Sequence, residues 1–302
     1  MSDTLPLSGV RVVDFTHVIS GPFCTMMLAH MGADVVKVER PDIGDSLRNI
    51  PGYEGREGHP DYFNSVNNTK RSVALDLKNP DQHAAAVDLI CNADVVVENF
   101  KPGTADRIGL GYEVLKKINS KLIYCSISGF GQTGPYSNRP GYDFLIQGMG
   151  GLMSITGQPD GSPGAGPVKV GVAVCDLFTG LFTANAALAA LAYRNRTGKG
   201  QHIDCALLDS QVAMLANQSA NWLNAEFCPT RMGNHHPSVV PYTVYKAADG
   251  FVILACGNDK QFIRLTAALG VPEMADDAAF MTNEGRIENR ERLDTELGKA
   301  IA

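Results

Sequence analysis

Asp176 occupies the position with the most chemical potential in this chain. It follows a β-branched run, residues 168–174, and precedes the longest apolar helix that the pattern predicts, over 177–194. A carboxylate there can cap the helix by accepting from an orphan backbone N–H. The positive helix terminus would also lower its pKa and keep it ionised. An ionised, partly desolvated carboxylate is a competent nucleophile toward an activated acyl group, so both readings coexist. Basic residues form a second set: Arg40, Lys70, Arg71, Lys78, Lys101 and Arg107 all fall near predicted strand ends. In an open parallel sheet, ligands bind outside the carboxyl ends of the strands. Cations clustered there suit a polyanion such as a phosphorylated cofactor, although solvated loops also carry lysine and arginine.

Two further signals are weaker. Gly129-Phe-Gly-Gln-Thr-Gly134 spells a glycine fingerprint, but Pro135 follows where a dinucleotide site needs a helix to open. His235 and His236 are adjacent with no Cys, Asp or Glu cluster around them, so no metal site is expected.

These side chains need a scaffold, and the pattern supplies one. Short β-branched runs at 10–15, 34–38, 72–75, 94–97, 122–127 and 201–206 read as strands. Helices over 22–31, 80–92 and 112–119 alternate with them, which implies right-handed βαβ units and a parallel sheet. An amphipathic helix is expected over 208–224. A hairpin over 242–246 and 251–255, turning at Asp249-Gly250, and helices over 260–269 and 287–301 complete the chain. The expected architecture is α/β: a Rossmann-like large domain, 1–224, and a smaller α+β domain, 225–302.

Composition narrows the class. The chain has 302 residues, 26 Lys+Arg against 32 Asp+Glu and a net charge of −6. That acidic balance argues against a nucleic-acid partner. No run approaches the ~20 uninterrupted apolar residues of a membrane span, and the N-terminus lacks the basic and apolar regions of a secretory signal. The seven cysteines are scattered without a C-x-x-C pair, which fits reduced thiols in the cytoplasm.

In order along the chain, the runs Gly9-Val-Arg-Val-Val-Asp-Phe-Thr16, Ser20-Gly-Pro22, Gly32-Ala-Asp-Val-Val-Lys-Val-Glu-Arg40, Asn68-Thr-Lys-Arg71, Val97-Glu-Asn-Phe100, Ser128-Gly-Phe-Gly131, Gly141-Tyr-Asp143, Asp176-Leu-Phe-Thr-Gly180 and Thr197-Gly-Lys-Gly200 resemble the class III CoA-transferases. The resemblance implies transfer of CoA from an acyl-CoA to a free carboxylate, with Asp176 as the covalent carrier and no prosthetic group. It implies that Val18, Arg40, Leu75, Lys78, Asn99, Phe100, Lys101 and Arg107 hold CoA, that Tyr142 lies beside the thioester and that Asp143 orients the active-site loop. It further implies an interlocked homodimer, and chains that continue past residue 302 to complete the small domain. Related α-methylacyl-CoA racemases carry histidine where Tyr142 stands here, so a racemase is the weaker reading, and a CoA-binding protein without catalysis is a third. The runs Leu208-Asp-Ser-Gln-Val-Ala213, Pro237-Ser-Val-Val-Pro-Tyr242 and Gly257-Asn-Asp-Lys-Gln-Phe262 look like the branch that pairs succinyl-CoA with dicarboxylate acceptors. A dicarboxylate needs a second polar contact, for which Arg48, Arg231 and His235 are the candidates.

Overall fold

The β-branched runs form one six-stranded parallel sheet in a computed structural model that describes residues 5–50 and 61–302. The strands are β1 (Arg11–Asp14), β2 (Asp34–Glu39), β3 (Arg71–Ala74), β4 (Val95–Glu98), β5 (Ile123–Ser128) and β6 (Gln201–Ala206). Their spatial order is β3-β2-β1-β4-β5-β6, so the direction of winding reverses between β1 and β4. Register is set by pairs such as Val12 with Val35 on one side and Val95 on the other.

Both faces of the sheet are covered, which is why its strands read as continuous apolar runs. Val12, Val35, Val95, Ile123 and Cys125 point to one core, filled by the helices Ser20–His30 and Val174–Thr197. Val13, Val38, Val96 and Tyr124 point to the other, filled by the helices Pro80–Cys91 and Tyr112–Ile118. The helix Pro80–Cys91 starts as its sequence dictates: Asn79 accepts from Asp81 N and Gln82 N, and Pro80 takes the first helical position.

The helix Val174–Thr197 begins three residues before its expected start and ends at Gly198, which is left-handed at φ +74°. Its length and apolarity would suffice to cross a membrane, with a mean hydropathy of 1.5. Here its small residues Gly180, Thr183, Ala184, Ala187 and Ala190 are buried in the fold. A Cβ on Gly180 would lie 2.6 Å from Ser20 O, so only glycine admits the close contact with the helix Ser20–His30.

Three expectations change. The amphipathic helix over 208–224 is two helices, Leu207–Met214 and Asn217–Ala225, broken at Ala216 with φ +46°. The Ser219 hydroxyl donates to Ala216 O at the break, a local bond that competes with helix continuation. The helix over 287–301 divides into Asn283–Glu288 and Arg290–Ile301. The hairpin β7 (Tyr242–Ala247) and β8 (Gly250–Ala255) turns at Ala248 and Asp249, with Gly250 already paired to Ala247.

Two compact units divide the chain, Met1–Leu152 with Lys169–Phe227, and Met153–Val168 with Cys228–Ala302. The second unit therefore takes in 153–168, which the sequence pattern leaves in the large domain. Its own core gathers Val240, Tyr245, Phe262, Phe280, Leu293 and Leu297. Inside it the fully buried Arg286 is satisfied by Val240 O, Phe280 O and Asp259 Oδ1, each at 2.7 Å.

Candidate active site

Where the winding reverses, the loops after β1 and β4 separate and leave two cavities within the first unit. The first, about 420 Å³, is lined by Val18, Asn99, Phe100, Lys101, Arg139, Tyr142, Asp143 and Asp176. The second, about 530 Å³, is lined by Arg40, Gly44, Leu75, Lys78, Phe100 and Thr104. His17 and Phe100 belong to both walls.

The loop after β1 is held in an uncommon shape. Val18 has φ +67°, a costly conformation for a β-branched residue. Its N–H donates to Asp45 Oδ1 at 3.2 Å. Asn99 locks the same loop to β4, accepting from His17 N at 3.0 Å and donating to His17 O at 2.8 Å.

Asp176 sits in the first turn of the helix Val174–Thr197, not at its cap. The cap position is Ala173, whose methyl offers no hydrogen-bond acceptor. The carboxylate of Asp143, at the start of the helix Asp143–Met149, does the capping across the cavity. Its Oδ1 accepts from Cys175 N at 2.7 Å and from Asp176 N at 3.3 Å. Gln147 Nε2 donates to Asp143 Oδ2 at 2.6 Å, and Gln147 Oε1 accepts from Val170 N at 2.9 Å. A chain of three residues thus ties the helix start to its neighbour.

This arrangement reverses the expected electrostatics of Asp176. Burial, and then the negative charge of Asp143, push its carboxyl up to about 7. The orphan N–H groups that would have stabilised its charge are used by Asp143 instead. Among the described residues no cation lies within ion-pair distance of Asp176. Tyr62, on the helix Asp61–Asn67, feels the same field: burial and then the charges of Asp176 and Asp143 push its phenol up. No motif marks Tyr62 in the sequence, nor His17 or Arg139.

Beneath the second cavity every buried acid has a cation. Asp14 accepts from Thr16 N (2.8 Å), Thr16 Oγ1 (2.5 Å) and Thr25 Oγ1 (2.6 Å), and pairs with Lys70 Nζ at 3.0 Å. Burial pushes Asp14 up, but Lys70, Lys37 and the two threonines hold it far below the usual carboxylate range. Lys37 Nζ lies 3.1 Å from Asp45 Oδ2 and donates to Thr16 O at 2.6 Å. Arg48 grips Glu39 through Nε and Nη2 at 2.8 and 2.7 Å, and with Ser72 and Asp45 N it overcomes burial to hold Glu39 at about 2. These pairs fix the ends of β1 and β2 and leave Arg40 and Lys78 in the cavity wall.

The sequence-predicted residues are therefore largely gathered, in two groups joined at Phe100. Arg107 stands outside both walls and reaches them through Thr104, donating from Nη2 to its Oγ1 at 2.7 Å. Of the three candidates for a second carboxylate contact, the two arginines are already engaged. Arg48 is taken by Glu39, Arg231 by Asp160, and His235 Nδ1 lies 3.6 Å from Asp294 Oδ2. The glycine fingerprint also has a structural explanation. A Cβ on Gly129 would meet Gly141 Cα at 2.4 Å, so this glycine lets two loops cross at the cavity rim.

Known proteins match this chain over its length. A model of CoA-transferase family III matches residues 7–302. The succinate–glutarate CoA-transferase of Agrobacterium fabrum is 50% identical, over 97% of this chain and 75% of its own length. The succinyl-CoA:glutarate CoA-transferase of Homo sapiens is 44% identical, over 97% of this chain and 66% of its own length. A crystal structure of a CAIB/BAIF family protein from Brucella suis superposes with a TM-score of 0.86 at 47% identity, covering 98% of this chain and 78% of that one. The chain thus spans from two thirds to rather more than three quarters of the length of these relatives.

Proposed function

The chain belongs to CoA-transferase family III, and from that premise we propose that it moves CoA from succinyl-CoA to a second dicarboxylic acid of the glutarate kind, with Asp176 as the covalent carrier. One observation carries the mechanism: a half-buried carboxylate, uncompensated by any described cation, on the wall of a cavity at the carboxyl ends of β1 and β4.

In the first step an Asp176 oxygen attacks the donor thioester carbonyl, the C–S bond breaks, and CoA leaves as thiolate. The thiolate then attacks the aspartyl carbonyl of the mixed anhydride. This releases the donor acid and leaves an aspartyl-CoA thioester. The acceptor carboxylate attacks that thioester, expelling thiolate, which finally attacks the acceptor carbonyl of the second anhydride. Acyl-CoA leaves and Asp176 is a carboxylate again. A carboxylate raised to about 7 is a stronger nucleophile than an ordinary aspartate once ionised. Each intermediate hydrolyses if water enters, so a walled cavity suits this chemistry.

Arg40 and Lys78 suit the phosphates of CoA, Leu75 and Phe100 its adenine and pantetheine, and Val18, Asn99, Lys101 and Tyr142 the path to Asp176; Arg107 acts from behind Thr104. Arg139 lies on the wall with Asp176, its guanidinium 3.9 Å from the Tyr136 ring centroid, and offers the distal carboxylate of the acceptor a cation. Exposed Phe144, Leu145, Phe178, Phe182, Trp222 and Leu223 support a homodimer, which size-exclusion chromatography with light scattering tests. The seven unpaired cysteines support a reducing compartment, the cytoplasm.

Incubation with succinyl-CoA and hydroxylamine tests the mechanism: Asp176 is trapped as a hydroxamate, read by peptide mass spectrometry. Absence of label at Asp176 during active turnover overturns it.

A further inference from the structure

β4 ends on Glu98, and the next three residues, Asn99, Phe100 and Lys101, line the cavity that holds Asp176. Glu98 itself is 3% exposed and borders a third, polar cavity of about 280 Å³ with Tyr112, Tyr124, Ser126 and His202. Its Oε2 accepts from Phe100 N at 2.8 Å, which closes the turn at the start of the loop. Ser126, the register partner of Glu98 on β5, sets its hydroxyl beside the same carboxyl group, and Ser126 Oγ lies 2.9 Å from His202 Nε2. The imidazole is held flat against Tyr112, ring centroids 5.1 Å apart, and edge-on to Tyr124 at 5.5 Å.

Ser126 has one hydroxyl proton, and that gives the chain a direction. With Glu98 ionised, His202 Nε2–H donates to Ser126, and Ser126 donates to Glu98. With Glu98 protonated on its other oxygen, every bond reverses: Glu98 donates to Ser126, and Ser126 donates to a bare Nε2, the ring proton now on Nδ1. Both states satisfy all three groups. The bond from Phe100 N–H differs between them, because an ionised acceptor makes a stronger, charge-assisted bond.

We propose that Glu98 is a positioning residue for acyl-CoA binding: the Glu98–Ser126–His202 relay sets the loop after β4, and uptake of one proton by the relay weakens the hold of that loop on the cofactor. The proposal rests on the reading that this loop lines the acyl-CoA site. The surroundings place the transition near neutrality. Burial first, and then the charges of Asp106 from the short helix Thr104–Arg107 and Asp204 from β6, push Glu98 up to about 7 against the bonds from Ser126 and Phe100 N. Tyr124 on β5 also faces the Glu98 charge and Cys125 feels it from the opposite face of the sheet, both with their own pKa raised by burial first, and Lys101 borders the same cavity. Burial pushes His202 down, opposed by Asp204, Asp106 and Glu113.

Calorimetric CoA binding at pH 6 and pH 8 tests this with the whole chain, for wild type, Glu98→Gln and Ser126→Ala. Glutamine keeps the volume and the acceptor but never ionises. Its dissociation constant should exceed that of wild type by about tenfold at pH 8 and match it at pH 6, a ratio from which the titration of CoA itself cancels. Ser126→Ala, lacking one bond to the charged form, should move the wild-type transition to higher pH. A Glu98→Gln to wild-type ratio that is equal at both pH values, or an unmoved transition in Ser126→Ala, overturns the proposal. Wild type that fails to bind CoA at either pH overturns the site reading, and this inference falls with it.

Discussion

The two cavities of the first unit treat buried carboxylates in opposite ways. Under the wall with Arg40 and Lys78, Asp14 pairs with Lys70, Asp45 with Lys37, and Glu39 with Arg48. Those acids are structural: charge compensation overrides burial, holds Asp14 and Glu39 ionised, and locks the strand ends. At the other wall Asp176 is half-buried beside a second acid, Asp143, and is pushed up to about 7. The same residue types in the same unit are held ionised or raised toward neutrality according to the sign of their neighbour. Perturbation of this kind concentrates where chemistry occurs, because a fully stabilised carboxylate would be a poor nucleophile.

The largest test of the contrast is removal of the proposed carrier. Asp176→Ala should lower CoA transfer by roughly four orders of magnitude or more, as loss of a covalent nucleophile does elsewhere, while CoA binding by calorimetry persists. Substantial residual transfer would place the carrier on another residue.

Next comes the scaffold. Lys70→Met leaves Asp14 buried without its cation, and breaking a buried pair costs about 3–5 kcal/mol in denaturant unfolding. A loss near zero would show that the two walls are not built on different principles.

The third test has the opposite sign. Asp176 has a folded pKa raised from 3.8 to about 7, so its ionisation costs stability that is intact below pH 4 and lost as pH rises through 7. Asp176→Asn should therefore gain stability over wild type between pH 4 and pH 8, by about 2–4 kcal/mol at the upper end. Equal pH dependence of the two melting curves would remove the charge argument. The smallest effect belongs to the cavity cations: Arg40→Leu should raise KM for acyl-CoA by about tenfold with little change in kcat.

Much of this was legible in the chain. Period and β-branching located the six strands of the sheet, since a parallel sheet covered on both faces needs such runs. Ordered motifs pointed to Asp176 and to the residues proposed to hold CoA, most of which sit at strand ends and helix starts that local sequence defines. Tyr62 and Arg139 carried no comparable signal. Arg139 reaches the Asp176 cavity on a loop and Tyr62, on a helix, feels the Asp176 charge; neither follows from spacing.

The sequence by itself determined that Asp176 would enter a helix N-terminus and that cations would gather near the strand ends. It misjudged the state of that acid, since a first-turn carboxylate is ordinarily stabilised by the helix. Only tertiary structure decided otherwise. Asp143, 33 residues earlier, crosses the cavity, takes the helix N–H groups at Cys175 and Asp176, and brings its own negative charge. Capping is a local property when the cap is adjacent in sequence. Here the cap arrives through space, and its negative charge adds to burial in raising the Asp176 carboxyl.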